Sequence, residues 1–165
     1  MRKIIRHRQI VEDHWQHLDD EQSVPAGPIT VTPERWARDR DTLTARKDLV
    51  GLRLSGDHEL ESLSSELTAF PLIALEFPVF KDGRCYTHAR LLRERYGYEG
   101  ELRAVGDVLR DQIFFMHRVG FDAFEVRQDR DIQEALEALN DFTVRYQAAW
   151  DERQPLHLRR GVLAA

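Results

Sequence analysis

From residue 32 onward, short apolar runs alternate with segments of helical periodicity, and this alternation restricts the fold more than any other feature of the sequence. The apolar runs cover residues 49–54, 72–77, 101–105 and 123–126. Apolar residues at helical spacing follow each run, over 60–67, 85–96, 108–119 and 132–146, and Thr32-Pro33 marks the start of an earlier helix. Because parallel strands need crossover helices, the sequence predicts an α/β fold with about four βα units forming a parallel sheet.

Two architectures fit this alternation. One is half-barrel-like, half of a (β/α)8 barrel that a dimer could close, and the other is an open α/β sandwich with helices on both faces. With 165 residues the chain has the length of one domain, so we predict a single α/β domain over 1–165. Within it we predict a short N-terminal β arm over 1–31 that carries Trp15, a core over 32–150 and a C-terminal tail over 151–165.

Composition excludes several classes of protein and cofactor. The formal net charge of −5 argues against a broad nucleic-acid-binding surface. No apolar run approaches the roughly 20 residues of a membrane helix, and no apolar stretch follows the basic start of the chain, so we expect a cytoplasmic protein. The single cysteine, Cys85, excludes an internal disulfide and an all-thiolate metal site. The glycine spacing fits neither a P-loop nor a dinucleotide fingerprint, so we predict no resident cofactor. His88 and His117 lie on predicted helices without a visible third ligand, so we predict no metal.

Three charged residues interrupt the strand candidates: Arg53, Glu76 and Arg103. Strands of a parallel sheet are normally covered on both faces, so a charge within one needs a partner or a solvated cleft. One interpretation is an ion pair between Glu76 and Arg103 on neighbouring strands. The other is a polar pocket at the carboxyl ends of the strands, where α/β proteins place their ligands.

Polar residues concentrate in the loops that leave the second and third strand candidates. We predict that Arg84, Arg103 and Asp82 converge at the carboxyl edge of the sheet and bind a small oxyanion at a helix amino terminus. The residues predicted to contact this anion or a substrate are Lys81, Arg84, Thr87, Arg103, Arg110 and Glu76. The residues predicted to act as acid or base in an enzyme are Asp82, Asp107 and Asp111.

Cys85 follows an arginine at a helix start, and both features lower the pKa of a thiol. Its spacing to Ala89, Leu92 and Tyr96 nevertheless puts it on the apolar face of that helix. The pattern therefore favours a buried structural cysteine over a reactive thiolate.

The apolar residues of the helix candidate 108–119 point around most of its circumference, because Ile113 to Met116 are four consecutive large apolar residues. A helix with one buried face does not need such a run. We therefore predict a homodimer with Phe114, Phe115 or Met116 at its interface. The alternative is that the N-terminal arm with Trp15 covers the extra face within one chain.

The stretch from Phe77 to Phe124 carries three segments that together resemble a known family. They read Phe-Pro-Val-Phe-Lys-Asp-Gly-Arg, Tyr-Thr-His-Ala-Arg-Leu-Leu-Arg-Glu-Arg-Tyr-Gly-Tyr and Gly-Glu-Leu-Arg-Ala-Val-Gly-Asp-Val-Leu-Arg-Asp-Gln-Ile-Phe-Phe-Met-His-Arg-Val-Gly-Phe-Asp-Ala-Phe. The chain is similar to an uncharacterised bacterial family, domain of unknown function 934, over essentially its whole length. Where the family pattern has Ser-Gln, this chain has Thr87-His88.

The resemblance implies a pathway, because members of that family are described as probable oxidoreductases or accessory proteins of assimilatory sulfite reduction. Three functions stay open. The first is an accessory or oxyanion-binding protein of sulfate and sulfite assimilation that docks on sulfite reductase or another enzyme of the pathway. The second is an α/β enzyme that acts on a small anionic substrate with the aspartates and arginines named above. The third is a structural homo-oligomer.

Overall fold

A single eight-stranded sheet organises the structure, a computed structural model that describes residues 2–162. Its strands are β1 (Arg2–Arg6), β2 (Gln9–Asp13), β3 (Gln16–His17), β4 (Ile29–Val31), β5 (Val50–Leu54), β6 (Leu72–Phe77), β7 (Glu101–Gly106) and β8 (Ala123–Phe124). The helices are α1 (Pro33–Thr44), α2 (Arg84–Glu94), α3 (Arg110–Val119), α4 (Ile132–Glu137) and α5 (Leu156–Val162). The predicted α/β fold is confirmed.

The strand order decides between the two predicted architectures. The order is β2-β1-β8-β7-β6-β5-β4-β3, so the six parallel strands β3 to β8 follow one another in chain order. Right-handed crossovers between successive neighbours put all the connecting helices on the same face of a sheet. The result is a curled, half-barrel-like sheet, and the open sandwich with helices on both faces is wrong.

The predicted N-terminal arm is part of this sheet and determines its curvature. The hairpin of β1 and β2 pairs antiparallel to β8, with Ile5 opposite Phe124. Only His14 and Trp15 then separate β2, at one edge of the sheet, from β3 at the other. Three Cα–Cα steps span at most about 11 Å, whereas the edges of a flat eight-stranded sheet lie about 33 Å apart. The sheet therefore has to curl until its edge strands approach each other.

The two faces of the curled sheet bury different side chains. The outer face packs against the helices, through Leu52, Ile73, Leu75 and Leu102 among others. The inner face is narrow, and the side chain of Trp15 packs there against Leu72, Ala74 and Val105. Gly51 makes room for it, since an added Cβ would lie 3.1 Å from the Trp15 ring and 2.8 Å from the carbonyl oxygen of Leu72. A tryptophan between the two edge strands thus fills the interior of the sheet.

Two predicted helices are shorter than their apolar periodicity indicates. Residues 60–67 form 3₁₀ turns, although Leu60 and Leu67 are buried as predicted. Serines compete for backbone hydrogen bonds, and Ser64 and Ser65 separate these turns. The last predicted helix, 132–146, ends in a 3₁₀ turn at Asn140, and Tyr146 is exposed.

Of the helices in residues 2–162, none is long and apolar enough to cross a membrane.

Residues 141–160, which we name the C-terminal segment, cover the second apolar face of α3, and the N-terminal arm does not. Met116 lies in the core, whereas the ring of Phe114 contacts the ring of Phe142, with centroids 4.9 Å apart. The guanidinium of Arg145 lies over Phe114 as well. Phe115 stays 54% exposed. The alternative in which the arm covers α3 is therefore wrong, because Trp15 lies inside the sheet.

Candidate functional site

Arg103 lies inside the curled sheet and binds acids other than the predicted one. Its side chain is fully buried, with Nη1 2.9 Å from Asp13 Oδ1 and Nε 2.8 Å from Glu101 Oε1. Among the described residues its ion pairs are with these two acids, so the predicted Glu76–Arg103 pair is wrong. The reason is register, because the neighbours of Arg103 across the sheet are Ala74 and Ala123, while Glu76 is paired with Val105.

The Asp13–Arg103 pair extends into a chain of buried and half-buried polar side chains. Arg2 forms ion pairs with both Asp13 and Glu125, and His17 lies between Glu125 and Thr30 at 2.9 and 2.6 Å. Burial alone would raise the pKa of Asp13, but the charges of Arg103 and Arg2 hold it below its ordinary value. We name these six residues the interior network: Arg2, Asp13, His17, Thr30, Arg103 and Glu125. It joins β1, β2, β3, β4 and β7, so it stabilises the curled sheet.

Two of the three residues predicted to converge on an anion do meet, at the carboxyl edge. Arg84 donates from Nη2 to Asp82 Oδ2 at 2.7 Å and forms a second ion pair with Asp57. Hydrogen bonds from Arg84 lower the pKa of Asp82 to about 2. Arg103 does not join them, because it lies in the sheet interior. Since two carboxylates already compensate the charge of Arg84, the predicted convergence of Arg84, Arg103 and Asp82 on an anion is wrong.

The other predicted site residues occupy separate places along the same edge. Lys81, Thr87 and Asp111 are exposed, and Glu76 is half-buried. Arg110 forms an ion pair with Asp141. Asp107 accepts hydrogen bonds from the backbone N–H of Phe80 at 2.9 Å and from Nη1 of Arg127 at 2.7 Å. Asp107 thereby connects the loop after β6 to Arg127, which is not among the predicted site residues.

That residue, Arg127, lines a cavity of about 440 Å³ at the carboxyl end of β8, which we name the basic cavity. Its lining residues are Arg2, Lys3, Val126, Arg127, Gln128, Arg130 and Ile132. Four of them are cationic and, within the part of the chain that the structure describes, none is acidic. In a chain of net charge −5 this lining gathers four cations at one place, of which Arg2 and Arg127 are each paired with two carboxylates outside the lining.

The four cations of the basic cavity differ in how far neighbouring acids compensate them. Arg127 binds Asp107 and Asp129, which raise its pKa. Arg2 binds Asp13 and Glu125. Arg130 lies 3.7 Å from Asp129, and Lys3 forms no ion pair with the residues that the structure describes. Lys3 and Arg130 are therefore the groups with most charge left for a ligand.

Only some of the residues that line the basic cavity can be predicted from the sequence. Arg127 and Arg130 directly follow the fourth strand candidate, and the rule that selected the loops after the second and third strands applies there equally. Arg2 and Lys3 carry no such signal. They join the cavity because β1 pairs with β8.

Cys85 is a buried structural cysteine, as its spacing predicts. It is 2% exposed, and its thiol donates to the carbonyl oxygen of Glu76 at 3.2 Å. Burial raises the pKa of the Cys85 thiol to about 12, which removes the thiolate at neutral pH.

Residues 2–162 contain no group of three or more histidine, cysteine, aspartate or glutamate side chains that could hold a metal ion.

In comparisons with known proteins, residues 51–157 match the model of a family described as bacterial protein of unknown function (DUF934). Neither the comparison with curated proteins nor that with solved structures gave a significant match. The matched range runs from β5 into the C-terminal segment, so it includes Arg127 and Arg130 of the basic cavity.

Proposed function

We propose that this chain, which belongs to the family described as bacterial protein of unknown function (DUF934), binds a small oxyanion as an accessory protein of assimilatory sulfite reduction. The observation that carries the proposal is the basic cavity, in which Arg2, Lys3, Arg127 and Arg130 meet without an acidic lining residue from the described part of the chain. It lies at the carboxyl end of a parallel strand, where barrel-like α/β proteins bind their ligands. Cations in such a concave surface favour sulfite, sulfate or phosphate.

The sulfite-reduction part of the proposal comes from the family resemblance, and it includes a cytoplasmic location and docking on an enzyme of the pathway. A strain that lacks the gene should grow on cysteine and fail on sulfate as the sole source of sulfur. Equal growth on both would remove the pathway and leave oxyanion binding to be judged by titration.

Calorimetric titration of the full chain with sulfite, sulfate and phosphate should show one site per chain. Lys3→Gln and Arg130→Gln should each weaken binding about tenfold, which corresponds to the loss of one charge-assisted hydrogen bond of about 1.5 kcal/mol. Both residues are exposed, so neither substitution should disturb the fold.

Lys81→Gln is the matched control, because Lys81 is an exposed lysine at the same edge that does not line the basic cavity. It should leave the dissociation constant unchanged. Binding that depends on Lys81 and not on Lys3 or Arg130 would move the site to the loop after β6.

We also propose a homodimer that uses the exposed Phe115, the part of the predicted α3 interface that neither the core nor the C-terminal segment covers. Light scattering at micromolar concentration should give twice the chain mass of 19.3 kDa. Phe115→Asp should return it to one chain with unchanged helical circular dichroism. A wild-type mass of one chain would contradict the dimer.

A further inference from the structure

His17 is connected to the basic cavity through two further side chains of the interior network. Its Nε2 atom lies 2.9 Å from Glu125 Oε2, and the other carboxylate oxygen, Oε1, accepts from Nη1 of Arg2 at 2.6 Å. Arg2 lines the basic cavity, whereas His17 and Glu125 are not among its lining residues. A change of charge on His17 therefore reaches a ligand of the basic cavity through Glu125 and Arg2.

The ring of His17 keeps both of its contacts whether it is neutral or charged. Nε2 faces the carboxylate of Glu125, which only accepts, so the proton of the neutral ring is on Nε2. Nδ1 lies 2.6 Å from the hydroxyl oxygen of Thr30, which donates to a neutral ring or accepts from a charged one. A second proton on Nδ1 therefore breaks neither contact of the ring.

Glu125 is shared between two partners, and only one of them has a fixed charge. While His17 is neutral, Arg2 is the cation that pairs with Glu125. The side chains of His17 and Glu125 are only 14% and 19% exposed, so a charge on the ring is weakly screened from its carboxylate. Protonated His17 would compensate Glu125 and leave more of the charge of Arg2 for a ligand. Arg2 would keep its place, because its Nε still donates to Asp13.

The charged groups around His17 belong to the neighbouring strands and to the loop that follows it. They are Glu125, Arg2, Asp13, Arg103 and, beside Leu18, Arg53 with Asp19. Arginine stays protonated in folded proteins. Against the effect of burial, Arg103 and Arg2 lower the pKa of Asp13, and His17 and Arg2 lower that of Glu125, so both acids stay ionised above pH 5. Because histidine changes its charge between pH 5 and pH 8, His17 is the residue of the interior network that titrates in this range.

We propose that binding of a dianionic oxyanion in the basic cavity is linked to protonation of His17, so that the ligand is bound more tightly in mildly acidic solution. This inference rests on the proposed function, because it concerns the regulation of the same cavity. The linkage is reciprocal, since an anion that prefers the protonated chain favours protonation of His17 by the same factor. Binding should therefore take up a proton from the solution.

Calorimetric titration of the full chain with sulfate at pH 8 and at pH 5.5 tests the linkage. Sulfate keeps both of its charges at these two pH values, whereas sulfite and phosphate do not. Wild type should bind sulfate about fivefold more tightly at pH 5.5. Titrations in two buffers that differ in ionisation enthalpy should show proton uptake, and this measurement needs no variant.

His17→Gln should bind sulfate equally at the two pH values and take up no proton. The amide of glutamine can donate to Glu125 and accept from Thr30, but it does not change its charge. His14→Gln is the matched control, because His14 is an exposed histidine of the same chain segment that does not line the basic cavity. It should keep the pH dependence of wild type.

Two kinds of failure are distinguishable. Equal wild-type affinities at pH 8 and pH 5.5, or a pH dependence that survives in His17→Gln, would overturn the linkage and leave oxyanion binding in place. A wild-type chain that binds no sulfate at either pH would overturn the proposed function and the linkage together.

Discussion

Asp13→Ala should lower the free energy of unfolding by about 3–5 kcal/mol, the cost of leaving one partner of a buried ion pair uncompensated. Arg103 would keep its charge at the centre of β7, at zero exposure, with Glu101 as its remaining acid. Arg2 would lose the same carboxylate. Chemical denaturation followed by circular dichroism measures the effect.

Asp129→Ala provides the comparison, since Asp129 forms ion pairs with two arginines at the surface. Exposed pairs contribute about 0–1 kcal/mol, so this variant should unfold close to wild type. Equal losses of stability in the two variants would mean that the interior network does not hold the sheet together.

The interior network should make the free energy of unfolding fall as the pH is lowered through the acidic range. The pKa of Asp13 is lowered on folding by Arg103 and Arg2, and that of Glu125 by His17 and Arg2, against the effect of burial. A carboxyl with a lowered folded pKa stabilises the fold above its unfolded pKa, about 4, and that stability is lost as the pH falls through the folded value. Wild type should therefore lose more stability than Asp13→Asn between pH 5 and pH 2.

Gly106→Ala should cost about 3 kcal/mol or more, for two reasons that act together. Gly106 has φ of +93°, a conformation that costs other residues roughly 1–2 kcal/mol. An added Cβ would also overlap the carbonyl oxygen of Phe77, to which the N–H of Asp107 donates at 2.7 Å. Because Asp107 binds Arg127, the variant should weaken oxyanion binding as well.

Gly97→Ala separates the two reasons. Gly97 has φ of +62° but no atom within 4 Å of an added Cβ, so it should cost only the conformational part, about 1–2 kcal/mol. Equal losses of stability in the two variants would mean that Gly106 is not in close contact with the carbonyl oxygen of Phe77.

The sequence predicts the parallel strands β5 to β7 well. It predicts poorly the strands β1 to β3, which bring the two edges of the sheet together. β5, β6 and β7 are apolar because both of their faces are covered, so they stand out in the sequence. β3 has two residues, and β8, the strand that joins β1 to the rest of the sheet, is more than 100 residues away, so no local pattern marks β1 or β3 as part of the same sheet. The interior position of Trp15 follows from that closure alone.

The candidate site shows the same division between local and distant information. The cations of the loop after β6 predict an anion site, but its arginine, Arg84, is compensated by Asp57, a residue from the loop after β5. The charge of Arg103 within its strand predicts a pocket residue, whereas its side chain binds Asp13, 90 residues away. The basic cavity joins Lys3 to Arg130, so its charge becomes visible only when β1 lies beside β8.

A crystal of the full chain soaked in selenate tests oxyanion binding at the basic cavity most directly. Selenate has the shape and charge of sulfate, and the anomalous scattering of selenium locates it without reference to the protein. A selenium peak between Lys3, Arg127 and Arg130 is the predicted result. Peaks confined to other surfaces of the molecule, with an empty basic cavity, would contradict the proposed function.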